Sequence, residues 1–178
     1  MPAINPLGIG ALAVLSLGLV FFLKWEFTRR KSRASAPRPV VYDKAEYHLQ
    51  DEESRSQEGF NEYIYGGMYL GWLIDSGLHS PEYFEGKESL LEEFRARKVT
   101  VSELYRVAGE ALISDMLSEK GNLFTAYYFE NGYPRDYEET LAPGEAPYEN
   151  VADTWENYAR MRTRLDDQYR RWSKSVPS

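Results

Sequence analysis

The chain has 178 residues, 21 Lys+Arg against 28 Asp+Glu, and no cysteine, which excludes disulfides, thiolate metal sites and a cysteine nucleophile. Its two histidines, His48 and His79, are too few for a multi-histidine metal centre. A hydrophobic fraction of 43% with 28% charged residues belongs to a folding chain, not a disordered one.

Those averages conceal a division. Residues 1–23 carry no charge, and the run from Leu7 to Leu23 is apolar apart from Ser16 and three glycines. Extended to Trp25, it approaches the roughly 20 residues that cross about 30 Å of hydrocarbon. A cleaved signal peptide would need a positive segment before the apolar run, and here the first charge is Lys24. A buried core helix would not be followed by so basic a flank, and a cytosolic protein with a hydrophobic tail leaves that flank without a purpose. Lys24, Arg29, Arg30, Lys31, Arg33 and Arg38 face only Glu26 in opposition. The expectation is a single membrane helix from Leu7 to Trp25, with the C-terminal bulk on the cytoplasmic side where positive flanks stay.

Residues 39–178 hold 15 Lys+Arg against 27 Asp+Glu, a net charge of −12. A domain this acidic lacks the positive field needed to hold a polyanion, so nucleic acid is not an expected partner. The organisation read from the sequence is a short tail at 1–6, a transmembrane helix at 7–25, a basic flank and linker at 26–41, and an acidic helical domain at 42–175.

Within that domain the spacing predicts a mostly α fold, a compact bundle of about five helices. Phe60 to Ser76 places Phe60, Ile64, Gly67, Leu70, Leu73 and Ile74 on one broad face and ends at Gly77. Gly66, Gly67 and Gly71 each cost roughly 1 kcal/mol in a helix interior, so a neighbour must pack close against the backbone there. Pro81 to Lys98 reads as a helix with an irregular start. Thr100 to Glu103 has capping-box spacing and opens a helix whose stripe is Leu104, Val107, Ala108, Ala111 and Leu112. Glu119 to Glu130 is helical until Gly132 and Pro134 break it, and Tyr137 to Leu141 adds a short piece. Glu138 to Asn150 reads as a surface loop. Asp153 to Glu156 caps a final helix with the stripe Trp155, Tyr158, Met161, Leu165, Tyr169 and Trp172. Val40–Tyr42 and Val99–Val101 are the only β-branched stretches suggestive of strand.

The segments YDKAEYH at 42–48, GMYLGWLIDSGL at 67–78, SEKGNLFTAYY at 118–128 and DTWENYARMRTRLDDQYRRW at 153–172 carry a resemblance. In this order they resemble an uncharacterised bacterial helical domain family, marked by Gly-Met-aromatic-Leu-x-Trp and Asp-Thr-Trp-x-x-Tyr motifs. The chain departs from it after His48, where Leu49-Gln50-Asp51 replaces a Gly-rich turn, and in the added N-terminal span. The resemblance implies a compact helical domain of bacterial origin, hence an inner-membrane location for the span, and no particular reaction.

No Walker, GxGxxG, GxSxG or HExxH pattern is present, so an enzyme is not expected and no cofactor is implied. His48 has Asp43, Glu46 and Asp51 nearby in sequence and could serve as a general base, against the plainer reading of a half-buried histidine closing the start of the domain. His79 follows a helix end, where a cation suits the dipole. Asp75, Asp115 and Glu119 lack a metal-loop spacing and read as caps and a charged face, and Asn122 reads as a structural turn residue. The aromatic surplus points elsewhere. Tyr127, Tyr128, Phe129, Tyr133 and Tyr137 exceed what one helix face can hide, and tyrosine is favoured at interfaces. The expected partner surface is therefore Tyr127, Tyr128, Tyr133, Tyr137, Glu138 and Glu139, extending over Glu145, Tyr148 and Glu149. The function expected is a membrane-tethered protein-binding module, most sharply an immunity protein neutralising a basic toxin. The alternative is a structural or regulatory subunit of a membrane complex, using the small residues Gly10, Ala11, Ala13, Ser16 and Gly18 of the span.

Overall fold

The computed structural model describes residues 38–48, 62–143 and 151–176. The Leu7–Trp25 segment and its basic flank up to residue 37 lie outside the described residues, as do Glu145, Tyr148 and Glu149. Among the described residues no helix is long and apolar enough to cross a membrane. The chain divides at Arg38/Pro39, and every described helix and strand belongs to the unit from Pro39 onward.

The domain is mostly helical. Strand β1 (Val41–Lys44) runs into a 3-10 turn (Ala45–His48). Helices α1 (Ile64–Asp75), α2 (Glu88–Arg95) and α3 (Val101–Ala108) come next, then β2 (Ala111–Ile113) and a second 3-10 turn (Ser114–Met116). Helices α4 (Glu119–Tyr128), α5 (Tyr133–Leu141) and α6 (Trp155–Ser175) complete it. There are thus six described α-helices where about five were expected. The additional one arises because Pro134 does not break the chain into a loop. It occupies the first turn of α5, where its missing N–H is not needed.

Helix α1 is the centre of the fold. Residues Met68 to Leu70 and Trp72 to Leu73 are fully buried, so the helix is apolar all round. Its glycines are explained by what touches them. A Cβ on Gly67 would lie 2.4 Å from the Val101 carbonyl oxygen, and one on Gly66 would lie 2.4 Å from the Tyr105 ring. The two backbones of α1 and α3 therefore meet at a distance that only glycine permits. Helix α3 is started by the expected capping box: Thr100 Oγ1 accepts from Glu103 N, and Glu103 Oε2 accepts from Thr100 N.

The α3 stripe does not continue through Ala111 and Leu112 as the spacing predicts. Gly109, at φ +129°, ends the helix, and Ala111–Ile113 pairs antiparallel with β1. Val107, expected in the stripe, is exposed. Val99–Val101 forms no strand, because Val101 is the first residue of α3. The Pro81–Lys98 helix is shorter than expected: turns occupy 81–86 and the helix begins at Glu88.

Helix α6 lies across the bundle with Tyr158, Met161, Leu165 and Trp172 buried, while Trp155 and Tyr169 are only partly so. Two cross-links fix it to α1. Trp72 Nε1 donates to Asp166 Oδ1 at 2.8 Å, and the Tyr158 hydroxyl donates to Asp75 Oδ2 at 2.7 Å. Asn122 is structural: it accepts from the Tyr42 hydroxyl and donates to the Ser114 and Leu117 carbonyls, tying β1 to the second 3-10 turn.

Candidate functional site

Three tyrosines of the expected partner surface are not at the surface. Tyr127 is 60% exposed and Glu138 and Glu139 lie in solvent, but Tyr128, Tyr133 and Tyr137 are buried. The reason is the break after Tyr128. It divides the aromatic run between α4 and α5, so that Phe129, Tyr133 and Tyr137 turn onto one another and onto Tyr65 and Tyr69 of α1. Tyr133 packs edge-on to Tyr69 at 4.9 Å and stacks on Phe129 at 5.2 Å, and its hydroxyl donates to the Tyr65 carbonyl. Burial pushes the Tyr133 hydroxyl well above its usual pKa, so it remains a donor.

What the fold does open is a cleft of about 410 Å³ between β1, its 3-10 turn, α1, the end of α4 and α5. It is lined by Tyr42, Asp43, Tyr47, His48, Tyr65, Phe129, Glu130, Pro134 and Glu138. The volume falls within the range of roughly 300–1,000 Å³ typical of ligand sites. At its floor stands a relay of three polar groups. His48 Nε2 lies 2.9 Å from Asp43 Oδ1, and the buried Tyr105 hydroxyl donates to Asp43 Oδ2 at 2.7 Å.

Local structure explains how these groups meet. The β1–β2 register slips between Val41 and Asp43, a bulge that leaves Tyr42 unpaired against β2 and turns Asp43 inward. The 3-10 turn then brings His48 back over Asp43, with its ring 5.0 Å from Tyr65. Gly66 makes the room: a Cβ there would also lie 2.5 Å from Asp43 Oδ2. Burial first, then the Asp43 charge and its hydrogen bond, raise the Tyr105 pKa, so this hydroxyl stays protonated and donating.

The aromatic walls and the carboxylates give the cleft its chemistry. Asp43 is committed to His48 and Tyr105. Glu130 and Glu138 have no ion-pair partner among the described residues, and no Lys or Arg is among the described residues lining the cleft. No Ser, Thr or Cys is among the described residues lining the cleft, and its hydroxyls are those of Tyr42, Tyr47 and Tyr65.

The other sequence candidates have structural neighbours. Asp75 accepts from Tyr158 and from Arg162 at 3.1 Å. Among the described residues no group of three His, Asp or Glu is arranged to hold a metal ion. His79 is not the helix-end cation expected: burial, and then Arg95, lower its pKa, and its ring packs edge-on to Phe84.

A family model described as a domain of unknown function (DUF7832) matches residues 41–150. The chain belongs to this family. No curated protein and no solved structure matches it. Every residue lining the cleft falls inside the matched DUF7832 region, as does Tyr105. Helix α6, with the Asp-Thr-Trp-x-x-Tyr motif, lies beyond it. Sequence reading paired His48 with Asp43 as one option among three, but it missed Tyr105, whose approach depends on the glycine contact between α1 and α3. It missed the cleft as well, since Glu130 and Tyr47 carry no motif.

Proposed function

We propose that this protein is a non-enzymatic binding module that holds a basic protein partner on its DUF7832 domain, with Leu7–Trp25 tethering it to a membrane. In its sharpest form it is an immunity protein that neutralises a basic toxin at the cytoplasmic face of a bacterial inner membrane. One observation carries the reading: an aromatic cleft with three carboxylates, and no Lys or Arg among its described lining residues, in a domain of net charge −12. Such a surface steers a cationic partner and repels polyanions. The tether would raise the local concentration of the domain where that partner enters or acts.

The test is capture of the partner by the full chain in detergent, followed by a salt titration of the purified pair. Electrostatically steered binding weakens steeply between about 50 and 500 mM salt, as the Debye length shrinks. Affinity indifferent to salt, or a captured partner of acidic surface, would reject this reading. Topology is tested separately by C-terminal fusions. A fluorescent fusion protein without alkaline phosphatase activity is expected, and the opposite result moves the partner to the other side of the membrane.

A further inference from the structure

We infer that the cleft is a receptor for a single guanidinium group, presented by an arginine side chain of the partner. The inference rests on the protein-binding reading above and adds the recognition chemistry to it. Three features of the cleft point the same way. Its walls are the rings of Tyr42, Tyr47, Tyr65 and Phe129, with Tyr47 58% exposed at the rim. Aromatic faces attract a cation positioned above them, and a planar guanidinium can stack on them as well. At the rim the Lys44 ammonium stands 5.5 Å from the Tyr47 ring centroid but is held by Glu46 at 2.7 Å, and the described lining itself carries carboxylates and no Lys or Arg. Glu130 and Glu138 are exposed carboxylates without ion-pair partners among the described residues, whereas the nearby Glu139 is taken by Arg164 at 2.8 Å and Arg135 at 3.8 Å.

The third feature is that the floor cannot itself supply the free charge. Both Asp43 oxygens are engaged, one by Tyr105 and one by His48. The incoming cation therefore pairs with Glu130 and Glu138 while the Asp43 group stays intact beneath it. Arginine suits this better than lysine, because its fork can bond a carboxylate with two parallel N–H groups and it is less strongly hydrated than an ammonium.

The experiment is an NMR titration of the full chain in detergent, with ring-labelled tyrosine and phenylalanine. The probes are the blocked tripeptide Gly-Arg-Gly and its citrulline counterpart, which keeps the shape and loses the charge. Saturable shifts at Tyr47, Tyr65 and Phe129 are expected with the arginine peptide, and at least tenfold weaker binding with citrulline. The double variant Glu130→Gln, Glu138→Gln should lose at least tenfold in arginine affinity. Both positions are solvent-exposed, and an unchanged denaturation midpoint is the control that the variant folds. Equal binding of the two peptides, or full affinity in the double variant, overturns the inference. If neither peptide binds while the captured partner still binds with steep salt dependence, the cleft inference falls and the protein-binding reading stands.

Discussion

Two buried carboxylates, Asp43 and Asp136, sit at opposite extremes of one design. Each accepts a tyrosine hydroxyl at 2.7 Å, Tyr105 in one case and Tyr128 in the other. Asp136 then receives Arg164 at 2.7 Å, Gln168 at 2.5 Å and Arg135 at 3.2 Å, and is 0% exposed. It joins α4, α5 and α6 and does not line the cleft. Among the described residues Asp43 receives only His48 on its second oxygen, and that side faces the cleft. The difference teaches how to separate scaffold from site. A carboxylate surrounded by permanent donors is a fastening, whereas one held on its cleft side by a single imidazole is the support beneath a cleft.

The largest test of this contrast is Asp136→Ala. Removing the acceptor leaves the Tyr128 hydroxyl and the Gln168 amide unpaired at a buried junction and takes one of the two carboxylate partners of Arg164, and breaking such a network costs roughly 3–5 kcal/mol. Chemical denaturation should show that loss, and a shift below about 1 kcal/mol would mean that water reaches the Tyr128 hydroxyl and the Gln168 amide and the junction is no fastening.

The same site gives a pH prediction. Burial alone would raise the Asp136 pKa, but hydrogen bonds from Arg164, Tyr128 and Gln168 outweigh it and hold it below 3.8. A folded-state pKa below the unfolded one means stability that is present above 3.8 and lost as the pH falls through the folded value. Asp136→Asn removes this dependence. The stability gap between wild type and Asp136→Asn should therefore narrow as the pH is lowered beyond that point, and a gap that widens in acid would reverse the sign.

Gly66→Ala tests the other carboxylate from beneath. The added methyl would meet the Tyr105 ring at 2.4 Å and Asp43 Oδ2 at 2.5 Å, with the rigid α1–α3 contact on either side. Overpacking of this kind costs roughly 1–3 kcal/mol. It should displace the Tyr105 and His48 ring signals in NMR spectra while those of Tyr128 and Gln168 keep their positions. Equal disturbance at both sites would show that the two networks are one unit.

These contacts also mark what the sequence could and could not convey. The capping box at Thr100 and the requirement for close packing at Gly66 and Gly67 were legible, because each is a local rule or a local penalty. The α6 cap was read one residue early: Thr154 caps the helix, while Asp153, the expected cap, accepts from Ser102. The strand Ala111–Ile113 was not. It is three residues long and exists only because β1, some seventy positions earlier, supplies its partner. The tyrosine cluster was misassigned for a related reason. Counting rings on one helix face ignores that the turn at Gly132 folds the second half of the run against the first. The Asp43–Tyr105 bond spans 62 positions, and no pattern in either segment announces the other.

Tyr105→Phe should cost about 1–2 kcal/mol, since it leaves one buried oxygen of Asp43 without its donor and no solvent path to replace it. His48→Gln is expected to cost least, under about 1 kcal/mol, because water entering the cleft can take over the bond to Asp43 Oδ1. The comparison between the two variants is sharper than either value. Tyr105 bonds the closed side of the carboxylate and His48 the open side, so their costs should differ even though the bonds are 2.7 and 2.9 Å. Because both donors share one acceptor, the double variant should depart from additivity by about 0.5–3 kcal/mol. If His48→Gln proves as costly as Tyr105→Phe, the open side is sealed from water in solution. Asp43 would then be a second fastening like Asp136, and the cleft would end above it at the rings of Tyr47 and Tyr65.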